Sequence, residues 1–546
     1  MAQTHMLGTD RRYRTTLAGP IAAADDGRLL WLVSGPVFPR PGIFHLCRAE
    51  LRESADGGRT WDEGRVLLAG TREYAQIPSA MLRLRSGRIL LTFVRFGGFS
   101  PDLDPAKSLC EGWAMFSDDG GGTWSAPSRL PARGRYQCPP LSMTQLSSGR
   151  VVYPYGLMTG QAGKSVVSAL VSDDEGATWQ VSPSVLDVGG AGMESGALEP
   201  SVVELPDGRV WMLLRTQHGC QWESFSHDGG LSWSAPQPSS VPSGNAPAVL
   251  VKLADGRILL AWNPCVDSAY ARHSLMLAVS DDGRAFYGGD EIAHTDYPLT
   301  ATDVYWGVMY PYVAQLPNGD LTVAFNEGDW NFQQAHLVRV DRAWLGRREI
   351  VEDFRDGLTA WCSLGSSSGS AQLVDPDDDQ AGAALRVEDS GAGPAGIVRA
   401  FPLLTEGKVT LTLSVHKPSG YLLFGDVFLY AGQVRSARLR VRFADGGRIL
   451  VGAGSASRVE TSVADHVPWY AHTAFPIGYE VEYPQPWPQD RRFDLVLQLS
   501  KGQAGITVDS GPEVALELGS TLGLWHLGLA ADQHGAVTLR RARWTP

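Results

Sequence analysis

The sequence predicts an all-β chain, a six-bladed β-propeller over residues 1–348 followed by a jelly-roll or lectin-like β-sandwich over residues 349–546. Three observations predict it. A short turn pattern recurs five times, an apolar hairpin pattern recurs six times in phase with it, and both stop before Val351, after which unrelated alternating segments fill the chain.

The turn copies read SADGGRTW (54–61), SDDGGGTW (117–124), SDDEGATW (172–179), SHDGGLSW (226–233) and a decayed SDDGRAF (280–286). Their Ser and Asp side chains accept hydrogen bonds from nearby backbone N–H groups, their glycines supply positive φ, and the closing Trp packs the turn on a sheet. A recurrence of roughly 50 to 60 residues is the period of four-stranded propeller blades, not of a helical solenoid. The carboxylates Asp56, Asp118, Asp174 and Asp228 are therefore expected to be staples without a catalytic role.

The hairpin copies begin GPIAAADDGRLLWLVSG at Gly19, QIPSAMLRLRSGRILLTFVR at Gln76, CPPLSMTQLSSGRVVYPYG at Cys138, EPSVVELPDGRVWMLLR at Glu199, NAPAVLVKLADGRILLAWN at Asn245 and YPYVAQLPNGDLTVAFNEG at Tyr310. Each holds a Pro, an alternating apolar run, a turn ending in Gly and a second apolar run, which makes two antiparallel strands and a tight turn. Radial packing of such hairpins aims the residue before each Pro, and the residue ending the second run, at one mouth of the central axis. A ligand would sit there.

Beyond Val351, segments such as KVTLTLSVHK, ARLRVRFADGGRILVGAG, FDLVLQLSKG and GAVTLRRARW alternate as sandwich strands do. SLGSSSGS reads as a loop, and DPDDDQ as a solvated loop in preference to a metal site. A formal charge of −12 with no basic cluster argues against a nucleic-acid partner. Cys47, Cys110, Cys138, Cys220, Cys265 and Cys362 are dispersed without C-x-x-C pairs, the pattern of free thiols in a reducing compartment. The N-terminus lacks the apolar core of a signal peptide and no run reaches transmembrane length, so the expectation is a cytoplasmic protein without a membrane partner, or a secreted one if the N-terminus is processed. No cofactor or metal is expected.

The turns and hairpins together resemble the sialidase (neuraminidase) superfamily of BNR-repeat, Asp-box propellers, over roughly the first 345 residues. The resemblance implies a Tyr nucleophile paired with a Glu, three arginines that clamp a substrate carboxylate, and an Asp acid/base near the first blade. Glu199 opens the fourth hairpin where the family's Glu belongs, and Arg215 closes it where the second arginine belongs. Arg272, in ARHSLMLAVSDDG, matches the third arginine, and Tyr310 opens the sixth hairpin where the nucleophile belongs. The pairing is chemically coherent: a phenol with its usual pKa of about 10 needs a neighbouring carboxylate to take its proton as it attacks. A neutral nucleophile also avoids the repulsion an anion would meet at a negatively charged anomeric region.

Two positions depart from the family. The first arginine's R-I-P is Ala18-Gly19-Pro20 here, and the first-blade loop SGPVFPRPGIFHLCRAE offers Arg40, His45 and Glu50 but no Asp. The second hairpin supplies replacements: Gln76 opens it, Arg95 closes it, and GGFSPDLDPAKS carries Asp102 and Asp104, either of which is a candidate acid/base. Asn263, Asn326 and Glu327 end inner strands and are candidates either for sugar hydroxyls or for turn backbone. Trp306 and Trp330 are candidates for sugar platforms or inter-blade packing, and His218 and His273 have no metal-ligand spacing.

The resemblance implies an exo-acting glycoside hydrolase that releases a terminal, acidic sugar by a retaining Tyr/Glu mechanism, with a glycan or glycoside as its partner. Two alternatives stand beside it: a polysaccharide lyase or hydrolase acting on uronic acid- or rhamnose-containing glycans, and a non-catalytic glycan-binding propeller. The C-terminal sandwich would bind carbohydrate or pack on the propeller.

Overall fold

The computed structural model describes residues 3–6, 17–36, 47–71, 73–98, 100, 104–133, 137–138, 140–160, 164–190, 195–264, 272–295, 307–328, 333–363, 370–375, 383–391, 395–425, 428–430, 433–454, 457–459, 472–474, 477–489, 491–519 and 523–546. Among them the chain is all-β apart from one short helix, Arg342–Leu345, and one 3-10 turn.

Six antiparallel sheets follow one another, each a meander of neighbouring strands. The first runs Leu17–Ala23, Leu29–Pro36, Cys47–Ser54, Arg65–Leu68, and the second Ala75–Arg83, Ile89–Gly98, Leu109–Ser117, Ser128–Arg129. In the third, the first strand is split into Gln137–Cys138 and Thr144–Gln145, beside Val151–Met158, Ser165–Ser172 and Gln180–Val181. The fourth holds Leu198–Glu204, Val210–Arg215, Cys220–Ser226 and Gln237–Pro242, and the fifth Val249–Lys252, Ile258–Trp262, Ser274–Ser280 and Tyr287–His294. The sixth is Gly307–Gln315, Leu321–Gly328 and Gln333–Val340, completed by Gln3–Met6 from the far end of the chain.

Apolar residues fill the spaces between consecutive sheets. Leu32 of the first shares a cluster with Leu91 of the second, Leu90 with Tyr153 of the third, Val152 with Met212 of the fourth, and Trp211 with Leu260 of the fifth. Leu277 and Val323 then share a cluster with Trp31, so the sixth sheet packs on the first. Polar ties follow the same order: Ser142 Oγ to Ser201 Oγ at 2.6 Å, Leu250 N to Ser201 Oγ at 2.8 Å, and Ala18 N to Asn326 Oδ1 at 2.7 Å.

Proline explains how the inner strands are shaped. Register shifts fall between Ala18 and Ile21, Pro78 and Ala80, Leu198 and Ser201, and Met309 and Tyr312, around Pro20, Pro78, Pro200 and Pro311. A prolyl nitrogen has no hydrogen to give the ladder, so the strand bulges there and re-aims the preceding side chain.

The repeated turns are built as expected, with one correction. Ser226 Oγ donates to Asp228 Oδ1 at 2.8 Å and accepts from Gly230 N at 2.8 Å, while Ser232 N reaches Asp228 Oδ1 at 2.8 Å. Trp233 Nε1 closes the turn on Gly230 O at 3.0 Å. In the second copy the stapling carboxylate is Asp119, which accepts from Ser117 Oγ at 2.7 Å and from Thr123 N at 2.8 Å; these contacts lower its pKa to about 2. Asp118 instead faces Arg88 Nε at 2.7 Å, because adjacent aspartates in a tight turn point opposite ways.

The rest of the chain forms an eight-stranded and a seven-stranded antiparallel sheet plus two short hairpins. Gly407–Lys417 and Phe493–Ser500 alternate buried and exposed positions, as a sheet with one solvated face does. Leu411, Leu495 and Leu539 of the larger sheet share one core with Phe401, Leu422 and Val441 of the smaller. Ile350–Glu352 pairs with Ala536–Thr545, so this second assembly takes up the chain directly after the short helix. It meets the first through Leu403, packed with Val241 and Leu250, and through Arg399, whose Nη2 lies 3.0 Å from Asp290 Oδ2. No helix among the described residues is long and apolar enough to cross a membrane.

Candidate functional site

Two proline bulges bring a phenol and a carboxylate together. Glu199 sits in the bulge of Leu198–Glu204 and Tyr310 in that of Gly307–Gln315, and Tyr310 Oη donates to Glu199 Oε1 at 3.2 Å. Tyr310 adopts φ +55°, the left-handed region that a bulky side chain seldom enters. Glu199 is only 8% exposed.

The other carboxylate oxygen, Oε2, pairs with Arg215 Nη1. Arg215 ends the adjacent strand, stands opposite Leu198 in register, and is 2% exposed. Its Nε donates to Asn245 Oδ1 at 2.9 Å, so the buried guanidinium is held from two sides. Burial of such a charge demands this kind of pairing.

Arg272 completes the group. Its Cζ lies 4.8 Å from the centroid of the Tyr310 ring, and its Nη1 is 3.0 Å from Met309 Sδ. The approach depends on Gly307: a Cβ there would lie 2.6 Å from Arg272 Cβ and 2.8 Å from its carbonyl oxygen. Val308 N donates to that same carbonyl at 2.8 Å. Beneath the pair lies buried Tyr312, whose hydroxyl is pushed above its ordinary pKa by burial and by the proximity of Tyr310 and Glu199.

The remaining sequence candidates lie elsewhere in the bonding pattern. Gln76 and Arg95 face each other in register in the second sheet; Gln76 Nε2 donates to Ala69 O at 2.6 Å, and Arg95 Cζ stacks 3.7 Å over Trp113 and 5.2 Å from Tyr74. Asp104 caps its own turn, accepting from Ala106 N at 2.8 Å, with Lys107 Nζ at 3.5 Å. Asn263 is fully buried and its amide donates to Ser274 O at 2.6 Å and Val308 O at 2.8 Å, which makes it a tie between the fifth and sixth sheets. Asn326 ties the sixth sheet to the first in the same way. Glu327 is half-buried, with Oε2 3.2 Å from His336 Nε2. Glu50 is buried and paired with Arg48. Asp102, Arg40, His45, Trp306 and Trp330 lie outside the described residues. No group of His, Cys, Asp and Glu suited to a metal ion occurs among the described residues.

Sequence reasoning missed Asn245. Its signal was positional, since it opens the fifth hairpin two residues before a Pro, where Ala18 opens the first.

Residues 102–323 match the family described as BNR repeat-like domain. A sialidase of Micromonospora viridifaciens is 27% identical over 337 residues, covering 54% of this chain and 46% of that protein. An anhydrosialidase of Macrobdella decora is 26% identical over 242 residues, covering 41% of this chain and 30% of that protein. The chain thus spans less than half the length of either relative. The solved Trypanosoma rangeli sialidase aligns with a TM-score of 0.45 at 14% identity, covering 98% of this chain and 92% of that one.

Proposed function

We propose that this chain, which is similar to proteins of the sialidase superfamily, is a retaining, exo-acting glycoside hydrolase in which Tyr310 is the nucleophile and Glu199 its base. The observation that carries the reading is the 3.2 Å contact between Tyr310 Oη and Glu199 Oε1. In the first step the phenolic oxygen attacks the anomeric carbon and its proton passes to Glu199 while the glycosidic bond breaks. An acid protonates the departing oxygen, and Asp102 or Asp104 is our assignment for it. Water then cleaves the tyrosyl–sugar bond, with that acid serving as base and Glu199 returning the proton.

Arg272 over the ring stabilises the negative charge that develops on the phenolic oxygen as its proton leaves. Arg215 is already matched by Glu199 and Asn245, and Ala18 stands where a further clamp arginine would be. A terminal acidic sugar held chiefly by Arg272 fits this charge distribution better than one that needs three guanidinium groups. The six sheets read as a six-bladed propeller over residues 1–348, supported by the contact of the sixth sheet with the first, and residues 349–546 as a sandwich, supported by the core that its two sheets share.

The test is a panel of aryl sialosides, uronides and rhamnosides with wild type and Tyr310→Phe. The Phe ring keeps the packing and removes the attacking oxygen, so turnover should fall at least about 10²-fold with affinity little changed. Near-full turnover by the variant refutes the nucleophile. An unsaturated, ultraviolet-absorbing product makes the protein a lyase, and binding without turnover by wild type makes it a glycan-binding protein, the outcome favoured if Asp104 stays engaged in its turn.

A further inference from the structure

The two arginines of the candidate site are held in opposite ways. Arg215 meets a carboxylate and an amide, through Nη1 to Glu199 and Nε to Asn245, so its charge is compensated where it lies. Arg272 meets a thioether: its Nη1 donates to Met309 Sδ at 3.0 Å, and among the described residues no carboxylate pairs with it.

Met309 is fixed before it reaches the guanidinium. It is the last residue in register before the Pro311 bulge and stands opposite Asn326, whose Oδ1 accepts from Ala18 N of the first sheet at 2.7 Å. The preceding residue, Val308, donates its N–H to Arg272 O at 2.8 Å and accepts from Asn263 Nδ2 at 2.8 Å, so the backbones of both partners are tied. These bonds leave the direction of the guanidinium open, because a flexible stem of several rotatable bonds separates it from the Arg272 backbone. The sulfur removes that freedom. Met309 is 3% exposed, and Gln333, itself 2% exposed, brings its Nε2 to 3.7 Å from the same sulfur. Two donors thus converge on one neutral acceptor, and Arg272 Cζ comes to 4.8 Å from the centroid of the Tyr310 ring.

We propose that Met309 is a positioning residue for the Tyr310 site, its sulfur aiming the Arg272 guanidinium across the phenol ring without compensating the charge. The inference rests on the reading of Tyr310 as the nucleophile. A thioether is a weak, polarisable acceptor. A carboxylate in its place would bond the guanidinium about twice as strongly and neutralise it, as Glu199 does Arg215. Held by sulfur, Arg272 keeps its charge for two tasks: the carboxylate of an acidic sugar, and the negative charge that grows on the phenolic oxygen as its proton passes to Glu199. An apolar side chain of the same volume would fill the space and release the guanidinium.

Two substitutions separate aiming from packing. If Met309 only filled space, Met309→Leu would be tolerated and Met309→Gln, which buries an amide, would be the damaged variant. Positioning reverses that order, because the carbonyl oxygen of the Gln side chain accepts from Arg272 where Leu offers nothing. The full chain and both variants are treated with N-acetylimidazole, which acylates phenolic oxygens, and labelling at Tyr310 is followed by peptide mass spectrometry with unfolding recorded alongside. Folded Met309→Leu should label at Tyr310 about 3- to 10-fold more slowly than wild type, the size of one lost cation–π contact, and Met309→Gln should recover most of that loss. On an acidic glycoside that wild type cleaves, Met309→Leu should lower kcat and raise KM together, whereas a smaller folded fraction lowers kcat alone. The labelling needs no glycoside: if wild type cleaves none, the glycosidase reading fails and labelling alone decides the role of Met309. Labelling in folded Met309→Leu within about 1.5-fold of wild type, or slower labelling in folded Met309→Gln than in Met309→Leu, would overturn the proposal. Should Met309→Gln not fold, the comparison of wild type with Met309→Leu stands by itself.

Discussion

Replacing Asn245 by Ala tests the chain of contacts that ends at the Tyr310 hydroxyl. The variant removes the acceptor 2.9 Å from Arg215 Nε, at a guanidinium only 2% exposed and so out of reach of bulk water. A buried charged donor left without its partner costs about 1.5–3 kcal/mol, and the small void left by the amide adds to that. Arg215 would then lose the tie from Asn245 and would turn about its Cδ, drawing the carboxylate with it and lengthening the contact to Tyr310. A displacement of that kind should lower kcat by about 10- to 100-fold. Denaturant unfolding and turnover of the glycoside that wild type cleaves are the two readouts. Asn245→Asp keeps an acceptor in place and serves as the control, expected to keep its stability. If Asn245→Ala unfolds within about 0.5 kcal/mol of wild type and turns over normally, Asn245 does not hold Arg215 and the coupling to Tyr310 is wrong.

Gly307→Ala should lower stability by about 1–3 kcal/mol and reduce turnover, because the new methyl would overlap Arg272 backbone atoms; unchanged kinetics would show that Arg272 can move without consequence. Asp228→Ala should lower stability by about 1 kcal/mol through lost turn bonds, with kinetics intact, whereas Asp118→Ala should leave its turn in place because Asp119 is the staple there. Equal destabilisation by the two would contradict that assignment. His526 is held at about 3 when folded against 6.5 ordinarily, so below pH 6.5 the unfolded chain takes up a proton the folded chain refuses. Stability should therefore fall on acidification between those values at a limiting slope of about 1.4 kcal/mol per pH unit for this group. His526→Gln should flatten the dependence of unfolding on pH from 7 to 5, and an identical slope in both proteins would show that another group controls it.

Glu199, Arg215, Arg272 and Tyr310 were legible in the sequence because each is marked by a local feature, a following Pro, a hairpin end or the strand before a repeated turn. Local marks also carried the six hairpins. They did not carry the pairings: Arg215 neutralises Glu199 from the adjacent strand of the same sheet rather than standing open, and its further partner Asn245 and the phenol of Tyr310 come from elsewhere in the chain. Asn263 ends a strand much as Arg215 does, yet its amide turns to the backbone of the next sheet, a choice that residue type leaves open. Two adjacent aspartates hid which one staples the second turn. In the second assembly the final strand, Ala536–Thr545, lies between Ala384–Glu388 and Gly407–Lys417, a pairing across more than a hundred residues that alternation alone cannot announce.

The four proline bulges allow a comparison within one molecule. In three of them the residue before the proline is Gly19, Ile77 or Glu199, and none of these takes positive φ. Only in the fourth does it do so, at Tyr310 with φ +55°. The bulge itself therefore does not require the left-handed conformation, and a cost of about 1–3 kcal/mol at Tyr310 must be offset by something peculiar to the sixth sheet. What is peculiar there is the contact of the phenol with Glu199 and the guanidinium of Arg272 across its ring. Relaxing φ would swing the ring out of both. The strain and this cluster of contacts are thus one feature, which is why the backbone at Tyr310 supports the proposed site where the same bulge at Ile77 reflects only strand geometry.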